Sequence, residues 1–210
     1  ITILGATGSI GASALDVIER HRQRYRVSAV TAQSNVNDLA DIAEKFDADV
    51  AVIGDPKLER SLRDALHARG ARTRAQAGRE ALIAAAQAPE CDTVLAAIVG
   101  SAGLEPTLAA AAAGKRLLLA NKEAIVCAGA LLMAAVERGG GMLLPVDSEH
   151  NAIHQCLAGV NKSERDDARL ILTASGGPFL KRHNLDGVTP DEACAHPKWV
   201  MGRKISVDSA

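Results

Sequence analysis

The 210-residue sequence predicts a doubly wound α/β fold built on a parallel sheet, followed by the first part of an α+β domain. Three observations carry this. Short β-branched or leucine-rich runs alternate with helical apolar patterns from Ile1 to Pro145, the rhythm of a parallel sheet with right-handed crossover helices. A glycine-rich turn, Gly5-Ala6-Thr7-Gly8-Ser9-Ile10-Gly11, joins the first run to the first helical pattern. Aromatic residues are only 2% of the chain, so the core must be Ala, Val, Leu and Ile, which suits helices packed on a sheet.

Each element follows in order. Ile1 to Leu4 is a strand, and Ala14, Leu15, Val17 and Ile18 give the next helix its apolar face before a charged stretch at 19–26. Strand, glycine turn and helix start, in that order, are the context of a dinucleotide fingerprint. The glycines let backbone approach a pyrophosphate, and the helix N-terminus offers it unpaired N–H groups. The spacing here is G-x-x-G-x-x-G. The second strand is placed at Arg26 to Thr31, ending in Ala32-Gln33-Ser34-Asn35. An NAD-selective site carries an acid there for the ribose 2′-hydroxyl; the polar neutral residues favour NADP. Then come a helix at 37–46, a strand at 49–53, a helix at 56–68, a helix at 79–88 and a strand at 92–98. The loop Val99 to Gly103 leaves that strand where open parallel sheets bind ligands. A helix at 104–113 ends at Gly114, a strand at 116–119 leads into Ala120-Asn121-Lys122-Glu123, and a helix at 124–138 precedes the strand running into Asp147. Beyond Asn151 the sequence predicts a helix at 152–157, a polar loop at 159–167, a strand at 169–174, a helix start at Thr189-Pro190 and a strand-like segment at 204–209.

The stretch Leu143-Leu144-Pro145-Val146-Asp147-Ser148-Glu149-His150-Asn151 begins apolar and ends in oxygen and nitrogen ligands. Read as an extended segment, alternation places Asp147 and Glu149 on one face with Ser148 turned away. Two adjacent carboxylates call for a cation between them, and a hard divalent ion with oxygen ligands fits. The same residues also suit a helix start. The domain boundary falls near Glu149, giving 1–149 as a nucleotide-binding domain and 150–210 as the start of a second.

Composition narrows the function. A formal net charge of −1 gives no electrostatic footing for nucleic acid or an anionic membrane surface. No apolar run reaches membrane-spanning length. Cys91, Cys127, Cys156 and Cys194 lack metal-ligand spacing and stand among apolar or helical neighbours, which reads as buried reduced thiols and hence a cytoplasmic protein. The chain opens inside a strand and stops inside a patterned segment, so both ends read as cut points.

The motifs GATGSIG (5–11), AAIVGSAGL (96–104), LLLANKE (117–123), LLPVDSEHNA (143–152), TASGGPF (173–179) and HPKWVMGRKISVDSA (196–210), in this order, closely resemble the 1-deoxy-D-xylulose 5-phosphate reductoisomerase family. The resemblance spans essentially the whole chain. It implies a Rossmann-like nucleotide domain, NADPH and a catalytic Mg²⁺ or Mn²⁺, a sugar phosphate substrate and a homodimer. The cofactor would lie on Gly5, Thr7, Gly8, Ser9, Ile10 and Gly11, with Asn35, Asn121, Glu123 and, near the nicotinamide, Gly202. Gln33 and Ser34 depart from the family, which often has Gly and a basic residue there. Asp147 and Glu149 match metal ligands, Lys122 and Ser148 match substrate contacts, and Ser175, His196 and Ser209 match groups holding the substrate and its phosphate. Trp199 and Met201 match a loop that closes over the substrate. On the residues alone, Lys122 reads equally as a solvated charge, His196 as a loop histidine and Ser175 as a helix cap. Family members continue past Ala210 with an Asn and a Lys that bind substrate, a Glu as third metal ligand and a helical domain. The chain as given is therefore expected to bind NADPH but turn over poorly. Two rival readings remain: a non-catalytic dinucleotide module, and a semialdehyde dehydrogenase, which would need Cys156 as nucleophile near His154.

Overall fold

A computed structural model describes residues 1–173, 176–200 and 202–209. They form two compact units, Ile1–Asn151 and Ala152–Ala210.

The first unit is a seven-stranded, all-parallel sheet. In chain order its elements are β1 (Thr2–Leu4), α1 (Ser9–Arg20), β2 (Ala29–Ala32), α2 (Val36–Lys45), β3 (Val50–Ile53), α3 (Glu59–Ala68), β4 (Arg74–Ala77) and α4 (Gly78–Gln87). There follow β5 (Thr93–Ala96), α5 (Leu104–Ala112), β6 (Arg116–Leu119), α6 (Lys122–Gly139), β7 (Met142–Pro145) and α7 (Ser148–Cys156), the last of which runs into the second unit. Strand order is β4-β3-β2-β1-β5-β6-β7. The chain winds one way from β1 through β4, then crosses back to set β5 beside β1, with Ile3 opposite Leu95. That reversal opens a crevice beyond the carboxyl ends of β1 and β5, the ligand position of such sheets.

Period-two alternation divides the strands between two cores. Ile3, Val30 and Leu95 face α1–α3 and pack with Leu15, Ile18, Leu39, Leu62 and Leu66. Leu4, Val94, Ala96, Leu117 and Leu119 face the other way onto alanines of α4 and α5 and onto Leu132 of α6. Alanine-rich helices sit close to the strands, so few aromatics are needed.

Lys115, only 8% exposed, lies in this second core region. Its ammonium donates to the carbonyls of Ala88 (2.7 Å) and Cys91 (2.6 Å). Ala88 caps the C-terminus of α4, where unpaired carbonyls and the helix dipole favour a cation. Lys115→Met is therefore expected to lower the unfolding free energy by about 2 kcal/mol, the cost of leaving buried carbonyls unsatisfied, read as a lower urea midpoint.

Arg79 at the start of α4 and Glu105 at the start of α5 form an exposed ion pair. Their mutual hydrogen bond holds the Glu105 carboxyl below its ordinary value and the Arg79 guanidinium above its own. A depressed carboxyl pKa gives stability present above the unfolded value and lost as pH falls through the folded one. The stability gap between the native chain and Arg79→Ala should thus close on going from pH 7 to pH 3 in urea titrations.

Several expectations are corrected. The strand β4 was not expected, and β2 begins three residues later than read. The helix at 56–68 is a 3₁₀ turn, Pro56–Leu58, followed by α3. In the second unit the loop at 159–167 contains α8 (Lys162–Asp166), whose Asn161 and Glu164 form a capping box that starts a helix locally. The helix start at Thr189-Pro190 is realised as α9 (Pro190–Ala193), again with a capping box. The strand-like segment at 204–209 is helical, α10 (Arg203–Asp208), with the Ser206 hydroxyl turned back onto the Gly202 carbonyl. Residues 169–173 form no strand, and Leu170, Ile171 and Leu172 are exposed; a strand needs a partner edge, and among the described residues the second unit has none. Of the four cysteines only Cys91 is buried, while Cys127 and Cys156 are exposed, since their helix faces point outward. No helix of the described residues is long and apolar enough to cross a membrane.

Candidate functional site

The glycine turn closes tightly on itself. Gly5 has φ +85°, and a Cβ there would lie 2.8 Å from the Ala97 carbonyl oxygen just beyond β5. A Cβ on Gly11 would lie 2.5 Å from the Gly5 oxygen and 2.6 Å from that of Ala6. Gly8 differs: its φ is an ordinary −83°, and a Cβ would meet only the Gly5 oxygen at 3.4 Å. Gly5 and Gly11 are thus required by the turn's own packing, whereas a Cβ on Gly8 would make only an ordinary contact. Gly8 caps α1 without a side-chain cap bond, so the donors of Ser9 and Ile10 at the helix start point outward, the arrangement that receives an anion. The exposed Ser9 and Ile10 and the half-buried Thr7 line this mouth. The cradle fits the pyrophosphate of a dinucleotide.

Thr31 of β2 holds the turn in place, a role the sequence reading missed. Its hydroxyl accepts from the Gly5 N–H (2.9 Å) and its carbonyl from the Ala6 N–H (2.7 Å). The available signal was a hydroxyl in the middle of a strand that is otherwise apolar. Asn35 caps α2, accepting from the Asp38 N–H while its amide donates to the Asp38 carboxylate at 2.6 Å. An acid therefore stands three residues past the position searched in the sequence.

At the far side of the crevice Asn121 is 3% exposed. Its amide donates to the carbonyls of Ile98 (2.5 Å) and Gly100 (3.1 Å), and its oxygen accepts from the Ala124 N–H. This side chain latches the loop after β5 to the start of α6. Lys122 and Glu123 occupy the first turn of α6. A lysine there opposes the helix dipole and needs a reason.

The reason is Asp147. The Lys122 ammonium lies 3.8 Å from the Asp147 carboxylate, whose side chain is only 16% exposed. His150 Nδ1 approaches the other carboxylate oxygen at 3.0 Å. The extended reading of this stretch is corrected: β7 stops at Pro145, and α7 starts at Ser148, with the Asn151 N–H donating to the Asp147 carbonyl. Strand alternation therefore does not apply, and Ser148 is not turned away. Its hydroxyl donates to Glu149 at 2.8 Å. That bond, first, then the residue's own backbone N–H and the Lys122 charge, hold the Glu149 carboxyl below its ordinary value. The start of α7, not alternation, gathers Asp147, Glu149 and His150, and the neighbouring order of β6 and β7 brings Lys122 to them. His150 is the second residue the sequence reading left without a role.

Two carboxylates faced by a lysine form an oxygen donor set that fits a hard divalent cation completing its shell from elsewhere. Among the described residues no group of three or more His, Cys, Asp or Glu side chains is gathered for a metal.

In the second unit, the indole of Trp199 stacks on the imidazole of His196, centroids 5.2 Å apart and rings within 3° of parallel. His196 Nδ1 accepts the backbone N–H groups of Lys198 and Trp199. Trp199 is 56% exposed and so is not a core residue. Gly202 caps α10 at its start and Ser209 at its end. Ser175 and Met201 lie outside the described residues.

Fold and site together define a Rossmann-like α/β protein carrying a cluster of two carboxylates, a lysine and a histidine beyond the carboxyl ends of its last strands. Residues 1–129 match the model of 1-deoxy-D-xylulose 5-phosphate reductoisomerase, and residues 143–210 match the model of that enzyme's C-terminal domain; the chain belongs to this family. It is 57% identical over 215 residues to the 1-deoxy-D-xylulose 5-phosphate reductoisomerase of Janthinobacterium sp. (strain Marseille), covering 100% of this chain and 55% of the relative. Identity to that of Ralstonia nicotianae is 58% over 213 residues, covering 100% and 54%. The chain thus spans about half the length of the curated relatives it matches. The Zymomonas mobilis enzyme in complex with NADPH superposes with a TM-score of 0.87 at 51% identity, covering 100% of this chain and 53% of that one. A DOX-P reductoisomerase in complex with NADPH, fosmidomycin and magnesium gives 0.91 at 44% identity, covering 99% and 53%. Family membership removes the semialdehyde dehydrogenase reading.

Proposed function

We propose that this chain is the cofactor-binding part, with the start of the catalytic part, of an enzyme that rearranges and reduces 1-deoxy-D-xylulose 5-phosphate to 2-C-methyl-D-erythritol 4-phosphate, using NADPH and Mg²⁺ or Mn²⁺. The observation that carries this is the pairing of Lys122 with Asp147 and Glu149 across from the glycine turn, on one sheet. Reductoisomerases solved with NADPH, and with fosmidomycin and magnesium, support the same reading. Residues 1–149 are the nucleotide domain and 150–210 open the catalytic one.

Thr7, Ser9 and Ile10 receive the pyrophosphate at the start of α1, with Gly5, Gly8 and Gly11 shaping the approach. Asn35 stands by the adenosine ribose. Asn121 acts by holding its loop, and Glu123 and Gly202 lie toward the nicotinamide. Asp147 and Glu149 are the residues that hold the divalent ion, which when bound supplies Lewis acidity for a carbonyl and charge for a developing oxyanion. Lys122 neutralises the substrate's oxygens from the α6 start, and Ser148 keeps Glu149 ionised and oriented. Ser175, His196 and Ser209 hold the substrate and its phosphate. Trp199 and Met201 cover it, excluding water. The whole protein acts as a cytoplasmic homodimer without nucleic acid or membrane partners.

The test is oxidation of NADPH with 1-deoxy-D-xylulose 5-phosphate, with and without Mn²⁺, on the 210-residue chain and on a full-length relative. We expect metal-dependent turnover in the relative and NADPH binding with little turnover in the chain. A chain that neither turns over nor binds NADPH would refute the reading. A full-length protein containing this chain that binds NADPH but does not turn over would instead make it a non-catalytic dinucleotide module.

A further inference from the structure

At the opposite end of the sheet, beyond the amino ends of β2, β3 and β4, lies a cavity of about 560 Å³ that the proposed reaction does not use. One wall is β4. Arg74 and Gln76 alternate along this strand and line the cavity together with Arg72, two residues before it. The floor is apolar, formed by Ala29 and Val50 of the sheet and by Ala85 and Ala88 of α4. Asp47 and Glu90 also line it.

Charge pairing within the cavity is uneven. Arg26 and Asp49 satisfy each other through two bonds of 2.7 and 2.8 Å. Arg72 and Arg74 have no ion pair or hydrogen bond to a side chain among the described residues, and neither has Asp47 or Glu90. Two guanidinium groups and two carboxylates thus line one cavity without pairing with each other. One further feature marks the place. Arg74-Ala75-Gln76-Ala77 has poor strand propensity, yet forms a strand whose two polar side chains, the exposed Arg74 and the half-buried Gln76, both line the cavity.

We propose that this cavity is a second binding site, for a small phosphate monoester bearing hydroxyl groups. Arg72 and Arg74 take the phosphate, for which planar guanidinium donors are suited. Asp47 and Glu90 accept from the hydroxyls, and the carbon skeleton rests on the alanines. An anion alone would leave the two carboxylates without a partner, and a cation alone would leave the arginines so. The site is separate from the glycine turn, which lies at the carboxyl edge of the same sheet.

Glycerol 3-phosphate is the probe, titrated into the 210-residue chain by calorimetry with and without saturating NADPH, with inorganic phosphate and glycerol in parallel. Saturable binding of glycerol 3-phosphate is expected, with phosphate weaker and glycerol silent. Arg72→Ala/Arg74→Ala should weaken it tenfold or more. Both side chains are exposed, so the fold is expected to persist, as circular dichroism would report. Ala84→Phe, at an exposed position on the cavity wall, should block binding without removing a charge. Absence of binding, affinity unchanged in both variants, or binding abolished by NADPH alone would each overturn the proposal.

Discussion

Gly11→Ala is expected to weaken NADPH binding about tenfold or more and to cost about 1–3 kcal/mol of stability, the range for forcing an extra group into a packed site. The added Cβ would meet the carbonyl oxygens of Gly5 and Ala6 at 2.5 and 2.6 Å. Both are backbone atoms, so no side chain can rotate away. Relief requires the turn to open, and the turn is tied to Thr31 through the Gly5 and Ala6 amides. Opening it displaces the donors at the start of α1 from the line on which a pyrophosphate would meet them. Gly8→Ala is the informative companion, because its Cβ meets only the Gly5 oxygen, at an ordinary contact of 3.4 Å. Loss of NADPH affinity there, with an unchanged melting temperature, would report the ligand itself against that position. Fluorescence titration with NADPH and thermal denaturation read both effects. Native affinity in Gly11→Ala would remove the turn from the cofactor site.

The parts of the molecule that were legible in the sequence are those where local chemistry and tertiary context agree. Ile1 to Gly11 reads as strand, turn and helix start because the apolar run, the glycines and the helical pattern each point the same way. Arg116 to Leu119 was placed to the residue for the same reason. β4 was illegible: Arg74-Ala75-Gln76-Ala77 has no β-branched residue and an apolar face of only Ala75 and Ala77, which pack on the core once the backbone pairs with β3. Ile205-Ser206-Val207-Asp208 fails in the opposite direction. Its alternation mimics a strand, while hydrogen bonds closed within the segment keep it helical.

The candidate site shows the same division. The residue identities at 147 and 149 point to a cation, but strand alternation does not set their faces, since the chain turns into α7 before Glu149. Lys122 is 25 positions from Asp147 and its partnership is a product of sheet order, β6 lying beside β7. Nothing local announces such a pair. A lysine in the first turn of a helix was the one available hint, because it opposes the dipole and so asks for an acid. His150 and Thr31 were missed because each acts through a neighbour, and a single sequence does not reveal which neighbour.

That chain of dependence sets the expected result for Asp147→Asn in a full-length protein carrying this sequence. Asparagine keeps the shape and an acceptor for His150 Nδ1 but removes a negative charge that faces both Lys122 and His150. A carboxylate-held divalent ion contributes several kcal/mol to the stabilisation of developing charge, and about 1.4 kcal/mol is a factor of ten in rate. Metal-dependent NADPH oxidation should therefore fall by about a hundredfold or more, while NADPH binding to the 210-residue chain stays within about twofold of native, because the glycine turn is untouched. His150→Gln tests the layer behind it. If His150 serves only to orient Asp147, the loss should be about tenfold to a hundredfold, the range for partners that position metal ligands, and raising the Mn²⁺ concentration should recover part of it. Steady-state rates across a Mn²⁺ series separate the two cases. A hundredfold loss in Asp147→Asn that high Mn²⁺ fully reverses would make Asp147 an affinity determinant alone. Unchanged activity would mean that the carboxylate pair, despite its position between Lys122 and His150, is no more than the start of a helix.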